Sequence, residues 1–299
     1  MTTAKSSIMK VFPAWAKHLG LEAPIVGIDC KWHDDPERYR DVVRFLKNDP
    51  KSLGGLVTTH KIDLLNAARD LFDELGPYAK LLGEVSSISK RDGELWGHAK
   101  DPITSGLSME AFIPENYWAG NDAALCLLGA GGSSLALTTY CMEKLSPHNY
   151  PSAIVVTNRS QARLDSMREI HEQINPGIRV TYHLCPDATD NDRVVSSLPP
   201  GSLVANATGL GKDAPGSPLT DAARFPENGY AWDFNYRGDL LFLDQARAQA
   251  KEKHLTVEDG WVYFIHGWTR VIAEVFHIDI PTSGPEFDEL SRIAAEARK

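Results

Sequence analysis

Two short clusters, one strand–helix step apart, carry residue types suited to holding a pyrophosphate and to discriminating between nucleotide cofactors. The first is Gly129-Ala130-Gly131-Gly132, followed by Ser133 and Ser134. It follows an apolar run, Leu125 to Leu128, that reads as a buried parallel strand, and it opens a helix reaching to about Leu145. Glycine lets a backbone turn tightly and approach phosphates, and a helix N-terminus offers N–H groups at the positive end of its dipole. Ser134 stands where G-x-G-x-x-G has its third glycine, so the turn alone is a weak signal. The second cluster ends the β-branched run Ala153 to Thr157: Asn158-Arg159-Ser160, with Arg163 shortly after. An NAD site usually carries Asp or Glu at this strand end to accept from the ribose 2′-hydroxyl. A neutral Asn with two arginines suits a 2′-phosphate instead, which a guanidinium pairs with through its planar fork. The clusters point to NADP rather than NAD. The bland alternative is an ordinary strand-to-helix turn with surface arginines, and the spacing of one βαβ step favours the nucleotide site.

The elements that position these clusters must fit a chain of 299 residues, enough for about two domains. The net charge of −9 argues against a nucleic-acid partner. No stretch approaches the roughly 20 apolar residues of a membrane span, and no signal-peptide core opens the sequence. Cys30, Cys126, Cys141 and Cys185 are scattered without a C-x-x-C pair. They read as free thiols, with no metal site, in a cytoplasmic protein.

In chain order, Ser7 to Leu21 has helical spacing, and Ile25-Val26-Gly27-Ile28 reads as a short strand. Pro36 to Leu46 is helical, Leu53 to Thr59 a strand running into His60-Lys61, and Ile62 to Leu75 a helix, with another near Ala79 to Leu82. Val85 to Ile88 and Leu95 to His98 form a hairpin across Arg91-Asp92-Gly93. Asp101-Pro102 starts the passage to a second domain. That domain continues through strands at Arg179 to Leu184, Leu203 to Thr208, Tyr230 to Tyr236 and Leu255 to Val257. Helices are expected over Asn191 to Ser197, Leu240 to Glu252, Gly260 to Phe276 and Phe287 to Arg298.

Motifs in fixed order resemble the shikimate dehydrogenase family over nearly the whole chain. Gly55 to Lys61 resembles its N-V-T-x-P-x-K, and Gly83 to Ile88 its G-A-V-N-T-I. Gly97 to Asp101 is similar to G-x-N-T-D, Gly129 to Ser133 to G-A-G-G-A, and Asn158-Arg159-Ser160 to the N-R-[ST] of NADP forms. Asn206 to Gly211 resembles N-A-T-P-L-G, Asp233 to Tyr236 resembles D-x-x-Y, and Asp259-Gly260 matches a late n-G. The resemblance implies reversible hydride transfer between NADP and a ring hydroxyl or ketone. It assigns catalysis to Lys61 and Asp101. A ketone accepting hydride develops alkoxide charge and must gain a proton, so an ammonium aimed at that oxygen serves both needs. Taken alone, Lys61 would read as a solvated lysine at a helix start and Asp101 as a turn residue before proline. By the same resemblance the cofactor residues extend to Ala207, Thr208, Gly209 and Gly260, and the substrate residues are Ser6, Thr58, Ser86, Tyr236 and His266.

Departures from the family gather on the substrate side. Only Ser6 remains of an early serine pair, Lys10 replaces a histidine, and the family's first strand is expected to be absent or shortened. Ser86 replaces the hairpin asparagine, Ala99-Lys100 replaces Asn-Thr before Asp101, and His266 is read at the position of a late glutamine. Each lost hydrogen bond to a polar substrate costs about 1–3 kcal/mol. Lys10 and Lys100 remain able to accept a carboxylate. The expectation is an α/β protein with a cleft between two domains. Residues 1–115, rejoined by a helix at about 278–299, form the substrate domain, and residues 116–277 form a Rossmann-like NADP domain. Its partner is a small molecule, with no nucleic acid or membrane, and the chain is a monomer or homodimer. Two other readings stay open: a genuine shikimate or quinate dehydrogenase with a remodelled pocket, and a non-catalytic NADP-binding sensor or partner protein.

Overall fold

Short apolar strands alternating with amphipathic helices build two α/β units in this computed structural model, which describes residues 3–146, 148–174, 177–212 and 214–298. Unit 1 is Met1–Lys100 with Ile265–Lys299, and unit 2 is Asp101–Phe264.

Unit 1 contains α1 (Ile8–Leu19), α2 (Pro36–Asn48), β1 (Gly54–Leu56), α3 (Lys61–Ala68), β2 (Glu74–Leu75), α4 (Pro77–Leu82), β3 (Ser87–Arg91) and β4 (Glu94–His98). The sheet order is β1-β3-β4-β2, with β1–β3 and β3–β4 antiparallel and β2 parallel to β4. The β3–β4 hairpin turns at Asp92 and Gly93, with φ of 53° and 86°, the handedness that matches strand twist in a tight hairpin. The helix expected to reach Leu75 stops at Ala68, because Asp73 accepts the Leu95 N–H at 2.7 Å and leads Glu74–Leu75 into the ladder. α1 buries Ile8, Val11, Phe12 and Trp15, and the Trp15 indole donates to the Leu290 carbonyl of the last helix at 2.8 Å.

The strand expected at Ile25 to Ile28 is absent: the segment joins no ladder, and Val26 is 76% exposed. An apolar run becomes a strand only where a neighbour pairs its backbone. Among the described residues, β1 pairs with β3 alone.

Unit 2 contains α5 (Asp101–Glu110), β5 (Leu125–Leu128), α6 (Gly132–Lys144), β6 (Ile154–Asn158), α7 (Gln161–Ile174), β7 (Val180–Leu184), α8 (Ala188–Ser196), β8 (Leu203–Asn206), β9 (Tyr230–Asp233), α9 (Leu241–Lys253) and β10 (Thr256–Glu258). The sheet is wholly parallel, in the order β10-β9-β8-β5-β6-β7. β5 and β8 are buried along their whole length, as parallel strands covered on both faces must be. α10 (Trp261–Phe276) starts in unit 2 and continues in unit 1, where α11 (Pro285–Ala297) ends the fold.

The units change over at 100/101 and 264/265, where the sequence expectation sets the boundaries at 115/116 and about 277/278. α5 belongs to unit 2 because it lies so close to α6 that a Cβ at Gly106 would stand 2.2 Å from the Tyr140 ring. Most of α10 belongs to unit 1 because Ile265, Val271 and Ile272 are buried there and Phe276 stacks on Phe12 of α1.

A buried polar chain ties α6 to α7 and β7. Thr138 Oγ1 lies 2.7 Å from His171 Nε2, and His171 Nδ1 lies 2.8 Å from the Tyr182 hydroxyl. Burial drives the His171 pKa down to about 4, so the folded ring is neutral while an unfolded histidine titrates near 6.5. As pH falls below about 6.5 the unfolded chain takes up the proton first. Stability is therefore full above that pH and declines toward 4, by at most about 1.4 kcal/mol per pH unit. In urea titrations His171→Gln is expected to have a shallower loss of stability between pH 6.5 and 5 than the wild type. Parallel pH profiles would contradict this.

Candidate functional site

In unit 2 the candidate residues stand at the carboxyl ends of adjacent parallel strands. In register, Leu128 of β5 pairs with Thr157 of β6 on one side and Asn206 of β8 on the other, and Asn206 pairs with Asp233 of β9. β5 is also where the sheet order reverses, and ligands of open α/β sheets bind at that switch point.

The glycine turn is shaped for a close ligand. Gly129 has φ of 111°, and a Cβ there would stand 3.1 Å from the Thr208 methyl and 3.2 Å from the Ala207 carbonyl. The turn thus lies directly against the loop after β8. Gly131 caps α6 without a side-chain hydrogen bond, and a Cβ on it would meet nothing within 4 Å. The helix N-terminus there faces open space, and its first turn holds no acidic residue. Ser134, which takes the place of the third glycine, is buried and donates its hydroxyl to the Gly129 carbonyl. It fixes the turn from within, while Ala130 is buried and Ser133 is half-buried. These features fit a pyrophosphate.

At the end of β6, Asn158 Oδ1 accepts the Arg159 N–H at 2.9 Å. Arg159 and Arg163 are exposed, Ser160 is half-buried, and among the described residues neither arginine is in an ion pair. Two unneutralised guanidiniums beside a strand end without a carboxylate fit a 2′-phosphate.

A buried amide–carboxylate network shapes the loop after β8. Asp233, fully buried, accepts from Asn206 Nδ2 at 3.0 Å, Asn235 Nδ2 at 2.8 Å and the Asn235 N–H at 2.9 Å. Asn206 Oδ1 accepts from the Thr208 N–H at 3.0 Å and its hydroxyl at 2.6 Å, and Asn235 Nδ2 also reaches the Thr208 carbonyl at 3.1 Å. Burial raises the Asp233 pKa to about 6 against the opposing pull of these donors. The network holds Ala207 and Thr208 against the glycine turn, with Gly209 exposed just beyond them. Motif reading singled out the loop residues but not the network beneath them. The signal available was an Asn and an Asp at equivalent ends of neighbouring strands.

Gly260 has a structural role here: a Cβ would lie 2.1 Å from the Phe234 carbonyl oxygen, so the backbones touch. Tyr236 packs its ring on Trp261 and Phe264, with centroids 5.5 and 4.9 Å away.

In unit 1, Lys61 is the first residue of α3 and half-buried, and its carbonyl accepts the Val85 N–H at 3.3 Å. A lysine at a helix N-terminus opposes the dipole, and Asp63 in the same turn offsets it. His60, just before it, is fixed by the buried Tyr39 hydroxyl 3.0 Å from its Nδ1. Thr58 is exposed and Ser6 half-buried. Asp101 begins α5 in unit 2, a favourable place for an acid, and its carbonyl accepts the Ser105 hydroxyl at 2.7 Å.

Ser86 is buried, accepts the Lys100 N–H at 2.8 Å and lies 3.5 Å from the His98 carbonyl. Beyond it, basic side chains converge on Glu274 of α10. Lys100 Nζ stands 2.7 Å from Oε2, while Oε1 has His98 Nε2 at 3.1 Å, off the line of a hydrogen bond, and Arg91 at 3.5 Å. The Ser89 hydroxyl also donates to Oε1, at 3.3 Å. His98 first and Lys100 second hold the Glu274 carboxyl well below the usual carboxylate range, against the effect of burial.

His266 corrects the sequence expectation. It is 1% exposed, stacked on Phe287 with centroids 4.4 Å apart, and its Nδ1 has no partner among the described residues. Burial, and then nearby Arg270, lower its pKa to about 4. It is a core residue of unit 1. The family's M-L-x-x-Q motif, begun at Tyr263, ends at Gly267, where a Cβ would meet nothing within 4 Å.

No family model matches the chain. It is 29% identical over 185 residues to shikimate dehydrogenase (NADP(+)) of Streptococcus thermophilus, an alignment covering 60% of this chain and 59% of that protein, under two thirds of its length. It superposes on shikimate 5-dehydrogenase of Thermus thermophilus in complex with shikimate with a TM-score of 0.70 at 23% identity, covering 99% of this chain and 95% of that one. A similar superposition, TM-score 0.69 at 16% identity over 98% and 94% of the chains, relates it to the ligand-free 5-ketofructose reductase of Gluconobacter sp. strain CHM43. No helix among the described residues is long and apolar enough to cross a membrane.

The Asp233 network makes a sharp prediction. Asp233→Asn turns an amide donor toward Asn206 Nδ2, and Asn206 cannot flip without losing both bonds from Thr208. The expected cost is about 1–3 kcal/mol in urea unfolding. Adding Asn206→Asp restores an acceptor at each place and recovers most of the loss. A double variant no better than the single one would refute this reading.

Proposed function

We propose that this chain, which is shikimate dehydrogenase-like in sequence and fold, is an NADP-dependent oxidoreductase acting on a hydroxyl or ketone of a small polyol or hydroxy acid. The observation that carries the proposal is the open helix N-terminus at Gly131, in register beside a strand end with no carboxylate and two arginines that form no ion pair among the described residues. Gly129 to Ser133 would hold the pyrophosphate, Arg159 and Arg163 the 2′-phosphate, and Ala207 to Gly209 the loop beside the turn. NADP supplies or accepts the hydride when bound.

The chain's own residues do the rest. Lys61, protonated at Nζ, stabilises the oxygen charge that develops as a ketone is reduced and delivers a proton to that oxygen. In the reverse direction it takes the proton back from the alcohol. Asp101, the acid of the pair that the resemblance assigns, would accept from a substrate hydroxyl. Thr58, Ser86 and Tyr236 supply further polar contacts, with Ser6 near the start of the chain. Three of the four cysteines are buried, and burial pushes Cys126 and Cys141 up to about 12. Inert thiols suit the cytoplasm, where we place a monomeric or homodimeric enzyme.

The test is NADPH absorbance with purified protein, scanning cyclic polyols, ketoses, shikimate and quinate against NADP and NAD. Lys61→Ala is expected to abolish turnover while NADPH binding persists, and Arg159→Ala to raise KM for NADP about tenfold with little change for NAD. Undiminished turnover in Lys61→Ala would remove its role. NADPH binding with no turnover on any probe would favour a sensor.

A further inference from the structure

We infer that the substrate is an uncharged polyhydroxy alcohol or ketone, and that Glu274 determines this by occupying Lys100, the cation next to Ser86. The inference rests on the assignment of Lys61 and Ser86 to the substrate side. A carboxylate substrate binds most tightly where a cation stands free beside its hydroxyl contacts. Lys100 is the nearest cation in sequence to Asp101, and its ammonium is held 2.7 Å from a Glu274 carboxylate that is only 15% exposed. Withdrawing Lys100 would strip a poorly solvated carboxylate of its shortest charge-assisted bond, which is costly. The same carboxylate would also repel an incoming one.

The buried Ser86 hydroxyl accepts the Lys100 N–H and directs its own O–H toward the His98 carbonyl 3.5 Å away, which leaves it a poor donor for a carboxylate. Arg91 is the most distant cation of the cluster and half exposed, so water screens it. Such surroundings suit hydroxyl groups, which donate and accept without bringing charge.

The test is calorimetric titration of the NADP-loaded protein with myo-inositol and with quinate. The wild type is expected to bind myo-inositol more tightly. Glu274→Gln frees Lys100 and is expected to tighten quinate binding by about 10- to 100-fold, a gain that Lys100→Met in the same chain removes. Lys100→Met alone should leave the weak quinate binding of the wild type where it is, a readout that does not depend on the Glu274 variant folding. Quinate binding as tight as myo-inositol in the wild type, no gain in Glu274→Gln, or loss of quinate binding in Lys100→Met would each overturn the inference. Absence of NADPH-linked turnover on every probe would instead strike the oxidoreductase reading, separately from these affinities.

Discussion

The register of four parallel strand ends governs unit 2. β5 is buried on both faces and flanked by β6 and β8, so the chain leaving Leu128 must turn at once into α6. The turn has no lateral room either, because Gly129 already lies against Ala207 and Thr208. Glycine is therefore demanded by packing before any ligand is considered. The consequence is a helix N-terminus aimed into open space beside Arg159. The Asp233 network extends the same constraint across β8 and β9, holding the opposing loop in place with hydrogen bonds buried away from water. A cofactor site of this kind is set by backbone geometry and needs few particular side chains.

Unit 1 works differently. Its polar residues sit on a small mixed sheet and the ends of α3 and α10, and what they offer depends on which partner each has taken. Lys100 read as a free cation is a carboxylate anchor, and Lys100 paired with Glu274 is not one. Glu274 lies 174 residues away in sequence, and no local pattern joins the two. The comparisons fit this asymmetry. The fold is shared with a shikimate 5-dehydrogenase and with a 5-ketofructose reductase at low identity, so the scaffold alone leaves the substrate open.

Much of this was legible in the sequence. The glycine turn, β5, β6, the acid-free strand end and the hairpin at Asp92-Gly93 all carry local signals that the fold enforces. Failures came where tertiary partners decide. Ile25 to Ile28 has the composition of a strand and no neighbour to pair with. Asp101-Pro102 reads as a turn, yet it opens α5, because proline suits the first turn of a helix and Gly106 lets that helix pack on Tyr140. His266 was drawn from motif position and turns out to be stacked in the core, one residue short of the open position at Gly267. The buried Asn206–Asp233–Asn235 network joins the ends of β8 and β9, 27 positions apart in sequence, which motifs read one at a time do not connect.

Recognition of a 2′-phosphate at the end of β6 is the claim on which the cofactor assignment stands. The most direct measurement is a calorimetric titration of the intact protein with 2′,5′-ADP and, separately, with AMP, at one ionic strength. The expected result is that 2′,5′-ADP binds more tightly by about tenfold or more, with the advantage shrinking as salt rises. Equal affinity for the two nucleotides would contradict the claim and leave Arg159 and Arg163 as surface residues.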